Sequence, residues 1–377
     1  MRLRAVLLAT LLAAPVTSQQ TPPRWPMFRR HTIDPGANES VAVADVNRDG
    51  RLDIIAGENW FEAPDWKKHR MREIPVQSGY IDDLSNFALD CNGDGYPDVI
   101  ASSWFAKKLS WYENPGAAGG DPLWKEHVIE TGFNYELILL VDVDGDGRAE
   151  EILPNYGNSP EVAWWSRRGA EWERHVVGRV PEVKGLHGIG AGDLNGDGRP
   201  DILTPFGWFE APSWRFHGDF RLLPPRGQAS PIHVLDVNGD GRRDLVYGAG
   251  HDYGVFWLEN RGTSWLEHRI DDSWSQAHAV TLADLDRDGR LDIVTGKRYL
   301  AHDTDPGAYE PLGLYWYRLA ADGQFVKHVI DFGTKAGGGM QIPVLDIDGD
   351  GDLDIVVAGK SGLFLFEQVD FERQKPH

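Results

Sequence analysis

Seven stretches of this 377-residue chain place carboxylates and amides at alternate positions ahead of a glycine, and five histidines stand outside any repeating pattern. Both groups could do chemistry. The stretches read D-x-[ND]-x-D-G-x-x-[DE] and consist of Asp45, Asn47, Asp49 and Asp53; Asp90, Asn92, Asp94 and Asp98; Asp142, Asp144, Asp146 and Glu150; Asp193, Asn195, Asp197 and Asp201; Asp236, Asn238, Asp240 and Asp244; Asp284, Asp286, Asp288 and Asp292; and Asp346, Asp348, Asp350 and Asp354. Alternate oxygens turned toward one point, a glycine that permits the bend and an acid three residues beyond it make a cage suited to a hard cation, as in the first half of an EF-hand. Structural Ca2+, up to seven ions, is the expected cofactor; Asx-type turns without metal are the competing reading.

The elements that position these residues follow from their spacing. Successive loops begin 45, 52, 51, 43, 48 and 62 residues apart, the period of a propeller blade. Each lies between a small apolar run (VAVAD, IGAGD, VTLAD) and a β-branched one (DIIAG, DILTP, DIVTG), which is a hairpin. A third strand follows as an aromatic pair plus acid, as in Trp60-Phe61-Glu62, Trp111-Tyr112-Glu113 and Trp208-Phe209-Glu210, and a fourth as W-x-x-H. The last repeat stops after its third strand, Leu363 to Glu367, while Phe28 to Ile33 fits the missing fourth. The expected fold is all-β: one seven-bladed β-propeller over residues 22–370, closed by an N-terminal outer strand that removes the open sheet edge.

The seven loops and the W-[FY]-E strands resemble the FG-GAP/VCBS family of calcium-loop propellers over nearly the whole chain beyond residue 22. Within that family the chain looks most like the propeller part of aldos-2-ulose dehydratase-type enzymes. The resemblance implies calcium in the loops, on the face opposite the one where propellers usually carry function. Because the family includes integrin-type ligand-binding heads, exported bacterial proteins and parts of carbohydrate-active lyases, it does not choose an activity.

Seven of the 13 histidines recur once per blade beside an aromatic residue (His31, His69, His127, His175, His217, His268 and His328) and read as packing elements; His377 is the chain end. Five remain: His187, His233, His251, His278 and His302. If each first strand runs from the top face down the central channel to its loop, the residue six before the loop stands at the channel mouth. These are Glu39, Leu84, Glu136, His187, Ser230, His278 and Met340, with His233 deeper on its strand. His187, His233 and His278, with Glu136, could converge on Zn2+ or another divalent transition metal; isolated polar lining residues are the alternative. The second-to-third strand connections bring Asn155, Tyr156, His251, Lys297 and Arg298 to the same face, and the long connection over 297–312, with His302, reads as a rim or lid.

Two functions fit. A carbohydrate lyase or dehydratase, a carbon–oxygen lyase, needs an electrophile beside a carbonyl, a base and an acid. The metal site would supply the first, with His251, Tyr156 and Lys297 as catalytic groups. Arg298, Asn155 and Gln341 would hold the substrate, and Trp60, Trp104 and Trp208 would stack on sugar faces. The other reading is a non-catalytic module whose top loops bind a glycan or a protein.

The net charge of −20 narrows the partners. The loops hold 24 of the 58 acids, so the other 34 face 38 basic residues, and neither an acidic tail nor a basic stripe for nucleic acid remains. A small molecule or oligosaccharide is the expected ligand, and the chain is expected to be a monomer. Residues 1–18 carry two arginines and then an apolar run, the pattern of a signal peptide for periplasmic or extracellular export, and no stretch is long enough for a membrane span. Residues 371–377 form a tail. Cys91 is the single cysteine, so no internal disulfide is expected.

Overall fold

A computed structural model describes residues 25–118, 122–169, 171–222 and 228–369. The expected signal segment 1–18 and tail 371–377 lie outside the described residues. Seven four-stranded antiparallel sheets form the blades of a closed ring. Within a blade the strands are sequential, as in Val41–Ala44, Asp53–Ala56, Asn59–Glu62 and Lys67–Arg70 of blade one.

The ring is closed by exchange. Met27–Asp34 pairs antiparallel with Gly362–Val369, so the first strand of the chain is the outer strand of blade seven. It is one residue longer at each end than the 28–33 pattern.

Burial explains the β-branched runs. Successive side chains of a strand point to opposite faces, and in blade one Ile54 packs toward blade seven while Ile55 packs toward blade two. Second strands are therefore buried on both faces and read as continuous apolar runs. Seven apolar clusters result, one at each blade boundary, the last joining Val41 and Ile54 of blade one to Val356 and Leu365 of blade seven. Cys91 is buried in the cluster between blades two and three and is free.

The repeated histidines take a cross-strand place. His69 lies directly opposite Trp60 and stacks on it with ring centroids 4.2 Å apart, while its Nε2 lies 2.9 Å from Glu62 Oε2. The same stack recurs for Trp111 and His127, Trp164 and His175, Trp208 and His217, Trp257 and His268, and Trp316 and His328. Trp60 and Trp208 are thus third-strand residues packed on the outer-strand histidines, not rim aromatics for a sugar.

In six of the seven loops the last acid is tied to backbone at the base of the hairpin, as where Asp53 Oδ2 accepts the Val46 amide at 3.0 Å. Gly50, at φ 88°, makes the bend that a side chain would strain. Blade three departs from the expected register. There Glu151, not Glu150, accepts the Val143 amide, at 3.0 Å, and begins the second strand opposite Val141. A longer side chain one residue further on reaches the same place, and Glu150 is left facing Arg148.

Because closure covers the outer edge of the last blade, a chain beginning at residue 35 is expected to melt on the order of 10 °C lower and to self-associate through Gly362–Val369. Thermal scanning and gel filtration check this, and an unchanged melting point in a monomeric peak would show that closure adds nothing.

Candidate metal centre

The ring positions at the channel mouth are built by the entries to the first strands. Glu136 sits on Tyr135–Val141 of blade three, His187 precedes Gly190–Gly192 of blade four, and His278 precedes Ala279–Ala283 of blade six. His251 joins them from the turn after Asp244–Gly248 of blade five. One ligand atom from each of Glu136, His187, His251 and His278 lies within 4.8 Å of all the others.

The partners of these rings decide what they can do. His187 Nδ1 lies 2.8 Å from the Ala229 carbonyl, and His251 Nδ1 lies 2.6 Å from Asp305 Oδ2. An acceptor at Nδ1 places the ring proton there, which leaves the Nε2 lone pair free to bind a cation. Those two Nε2 atoms face each other at 2.9 Å, and His187 Nε2 is 3.1 Å from Glu136 Oε2. His278 Nε2 has no hydrogen-bond partner among the described residues and lies 3.7 Å from Glu136 Oε1. Lone pairs and a carboxylate pointed at one another repel unless a proton or a metal ion lies between them.

The electrostatics agree. Burial alone would raise Glu136, but His187, His251 and Arg298 outweigh it and hold the carboxyl well below its usual range. Burial, with the adjacent His187, lowers His251 to about 4, and burial with Arg298 holds His278 well below an ordinary histidine. Both are therefore neutral imidazoles at pH 7. His187 is raised, because Glu136 overcomes the effect of burial.

A buried ion network frames the four residues. Arg298 donates through Nε to Glu39 Oε2 and through Nη1 to Glu136 Oε1, each at 3.1 Å, and Lys360 lies 3.3 Å from Glu39 Oε1. Above lies the long connection of blade six. Its His302 stacks over His251 with centroids 4.8 Å apart. A small hairpin, Val76–Gln77 with Tyr80–Ile81, reaches across from blade one, and the Tyr80 hydroxyl donates to the Ala301 carbonyl at 2.5 Å and lies 2.9 Å from His302 Nδ1.

Several expected site residues lie elsewhere. His233 is lower on its strand, where its Nε2 donates to the Val280 carbonyl at 2.8 Å. It lines a channel cavity of about 480 Å³ walled largely by apolar residues such as Val41, Leu139 and Leu282. Tyr156 is buried between blades two and three with its hydroxyl on Glu130, and burial followed by that acid's charge raises its pKa, so it cannot exchange protons with a ligand in the channel. The Lys297 ammonium is spent on Ser275 Oγ at 2.8 Å and the Gly307 carbonyl at 2.6 Å, anchoring the long connection; burial lowers it to about 8. Gln341 binds the backbone of Asn86 through both ends of its amide. Trp104, in the turn after the second strand of blade two, covers Gly157 in the matching turn of blade three, where a Cβ would meet its ring at 2.5 Å. Arg298 grips the protein's own carboxylates. Sequence reasoning missed Asp305 and Tyr80, because neither belongs to a repeat.

The FG-GAP-like repeat family matches residues 90–153, 142–204, 236–295 and 303–357. No curated protein matches the chain. Among solved structures, virginiamycin B lyase from Staphylococcus aureus is similar at 13% identity over 92% of this chain and 100% of that one, with a TM-score of 0.55. BBS1N, solved in complex with ARL6DN, is similar at 10% identity over 94% of this chain and 99% of that one, also with a TM-score of 0.55. The extracellular domain of a putative one component system from B. thetaiotaomicron matches at 10% identity and a TM-score of 0.53, over 90% of this chain but 39% of that one. At these identities the likeness is one of fold.

Asn155 ties the site together from beneath. Its Oδ1 accepts the Leu137 amide at 2.7 Å and its Nδ2 donates to the Leu186 carbonyl at 2.9 Å, holding the neighbours of Glu136 and His187. Asn155→Ala strands both buried groups and is expected to cost about 2–4 kcal/mol by urea denaturation; a loss below about 0.5 kcal/mol would show that the tie is not needed.

Proposed function

The chain belongs to the FG-GAP-like repeat family, and from that premise we propose that it is an exported, calcium-stabilised propeller carrying a divalent transition metal at the channel mouth, acting as a carbohydrate lyase or dehydratase. The observation that carries this reading is the convergence of three imidazole Nε2 atoms and one carboxylate, with the Nδ1 positions of His187 and His251 fixed by outer acceptors. Three nitrogen donors and one oxygen donor in a tight buried group suit Zn2+ or a similar ion.

Such an ion would polarise a carbonyl or hydroxyl oxygen of a bound sugar. The protein groups then divide the remaining work. Arg298 holds Glu136 in place, and Asp305 and the Ala229 carbonyl orient His251 and His187. His302 is the exposed histidine of the group and takes the part of proton carrier that His251 and Tyr156 cannot fill. The connection over 297–312 covers the centre, so a substrate enters when it lifts, and its closure excludes water.

The loops suit calcium on their own terms. Their donors are all oxygens, and in three loops three carboxylates crowd within 4.8 Å of one another: Asp142, Asp144 and Asp146; Asp284, Asp286 and Asp292; and Asp346, Asp348 and Asp354. FG-GAP propellers commonly bind calcium. Among the described residues no helix is long and apolar enough to cross a membrane, and export rests on residues 1–18.

The burial of the histidines favours a second reading, in which the metal only staples blades three to six and the rim binds a glycan or a protein. Metal analysis of the purified protein is expected to find about one transition metal per chain, lost in a His187→Ala, His251→Ala, His278→Ala triple variant that keeps its calcium. Absence of that metal from the wild type would overturn the centre. A metal-loaded protein that releases no unsaturated product from keto-sugars or uronates would favour the staple. Excess EDTA is expected to lower the melting temperature of both proteins, and an unchanged value would count against calcium in the loops.

A further inference from the structure

Blade six breaks the pattern that the other blades share. Two residues after the aromatic or leucine that faces the repeated histidine, they carry Glu62, Glu113, Ser166, Glu210, Glu259 and Glu367; blade six carries Arg318. In those six blades the histidine Nε2 lies between 2.6 and 2.9 Å from that acid or serine. In blade six His328 Nε2 has no hydrogen-bond partner among the described residues.

The displaced contact reappears in the loop. Arg318 donates through Nε to Asp286 Oδ2 at 2.5 Å and through Nη2 to Asp288 Oδ2 at 3.0 Å. Arg290 also pairs with Asp288. In blade one the same two positions meet with opposite polarity: the Asn47 amide donates to Glu62 Oε1 at 3.2 Å. Blade six therefore sets an acid at the third loop position, which blades three and seven also carry as Asp144 and Asp348, against a cation on the third strand, where those two blades have Ser166 and Glu367. The arginine, not the acid, sets blade six apart. Without Arg318 or a metal ion, Asp286, which is 6% exposed, would be a buried acid with no cation beside it.

We propose that the guanidinium of Arg318 takes the place of a calcium ion in the sixth loop, so that the chain binds one calcium ion fewer than it has loops. The inference rests on the calcium reading of the other loops. It has a consequence for the metal centre: blade six supplies His278, Arg298 and Asp305, and its hairpin is held by a covalently attached cation that dilution or a chelator does not remove.

Calcium uptake by the chelated, dialysed protein tests this, measured by equilibrium dialysis and by anomalous scattering from crystals grown in calcium. The expected result is density in the other loops but none at Asp284, Asp286 and Asp292, and one additional ion per chain in Arg318→Glu, which restores the acid. Glu259→Arg with Asn238→Asp moves the arrangement into blade five and is expected to remove one ion. Calcium in the sixth loop of the wild type would overturn the proposal, as would equal uptake by wild type and Arg318→Glu. Should Arg318→Glu fail to fold, the blade five variant and the wild-type density still decide. No calcium in any loop would instead overturn the calcium reading itself.

Discussion

The arrangement at the top of the ring depends on one buried guanidinium. Arg298 lies between Glu39 at the entry to blade one and Glu136 in blade three, and its side chain is 3% exposed. An unpaired charge there would cost several kcal/mol, so the acids and the base specify one another. Lys360 of blade seven closes the network through Glu39 and also donates to the Leu300 carbonyl at 2.5 Å. Blades that are not neighbours in the ring are in this way held to a common centre, which apolar packing between adjacent blades cannot do. Glu136 is thereby fixed with one oxygen on Arg298 and the other toward His187.

How much of this was legible in the sequence follows from periodicity. Loops, blades and closure recur or complete a recurrence, so spacing alone places Asp45 through Asp354 and the outer strand near His31. The channel-mouth rule, six residues before each loop, also brings Glu39, Glu136, His187 and His278 to one end of the ring, because every first strand enters the channel in the same sense. His233 misleads because it shares the strand but not the depth: three residues nearer the loop is about 10 Å along a strand. Asn155 and Tyr156 show the other failure. Adjacent on one strand, they point to opposite faces, and both are consumed by packing and backbone ties before any ligand arrives.

What carries no period could not be placed. Asp305 stands in the 16-residue connection over 297–312, and Tyr80 in a hairpin that belongs to no blade. Contact between those two excursions depends on the closed ring bringing blade six to within one blade of blade one, which is a property of the whole fold. The third loop failed for a smaller reason: two consecutive glutamates offer the same group at two positions, and only the start of the second strand at Glu151 chooses between them.

Charge alone does not separate a structural knot from a site that holds an ion at the mouth, but the donors do. Glu39, Glu136 and Asp305 bring three negative charges, and Arg298 and Lys360 two positive ones, so three neutral imidazoles leave the group one charge short of balance. One proton on His187 restores neutrality and relieves the lone-pair contact with His251. It leaves His278 without a hydrogen-bond partner, and a buried ring nitrogen in that state is costly. A divalent cation would engage His278 together with the other two rings and Glu136, which no single proton can do. The unpartnered Nε2 of His278 is therefore the feature that distinguishes a metal centre from a buried salt bridge in this ring.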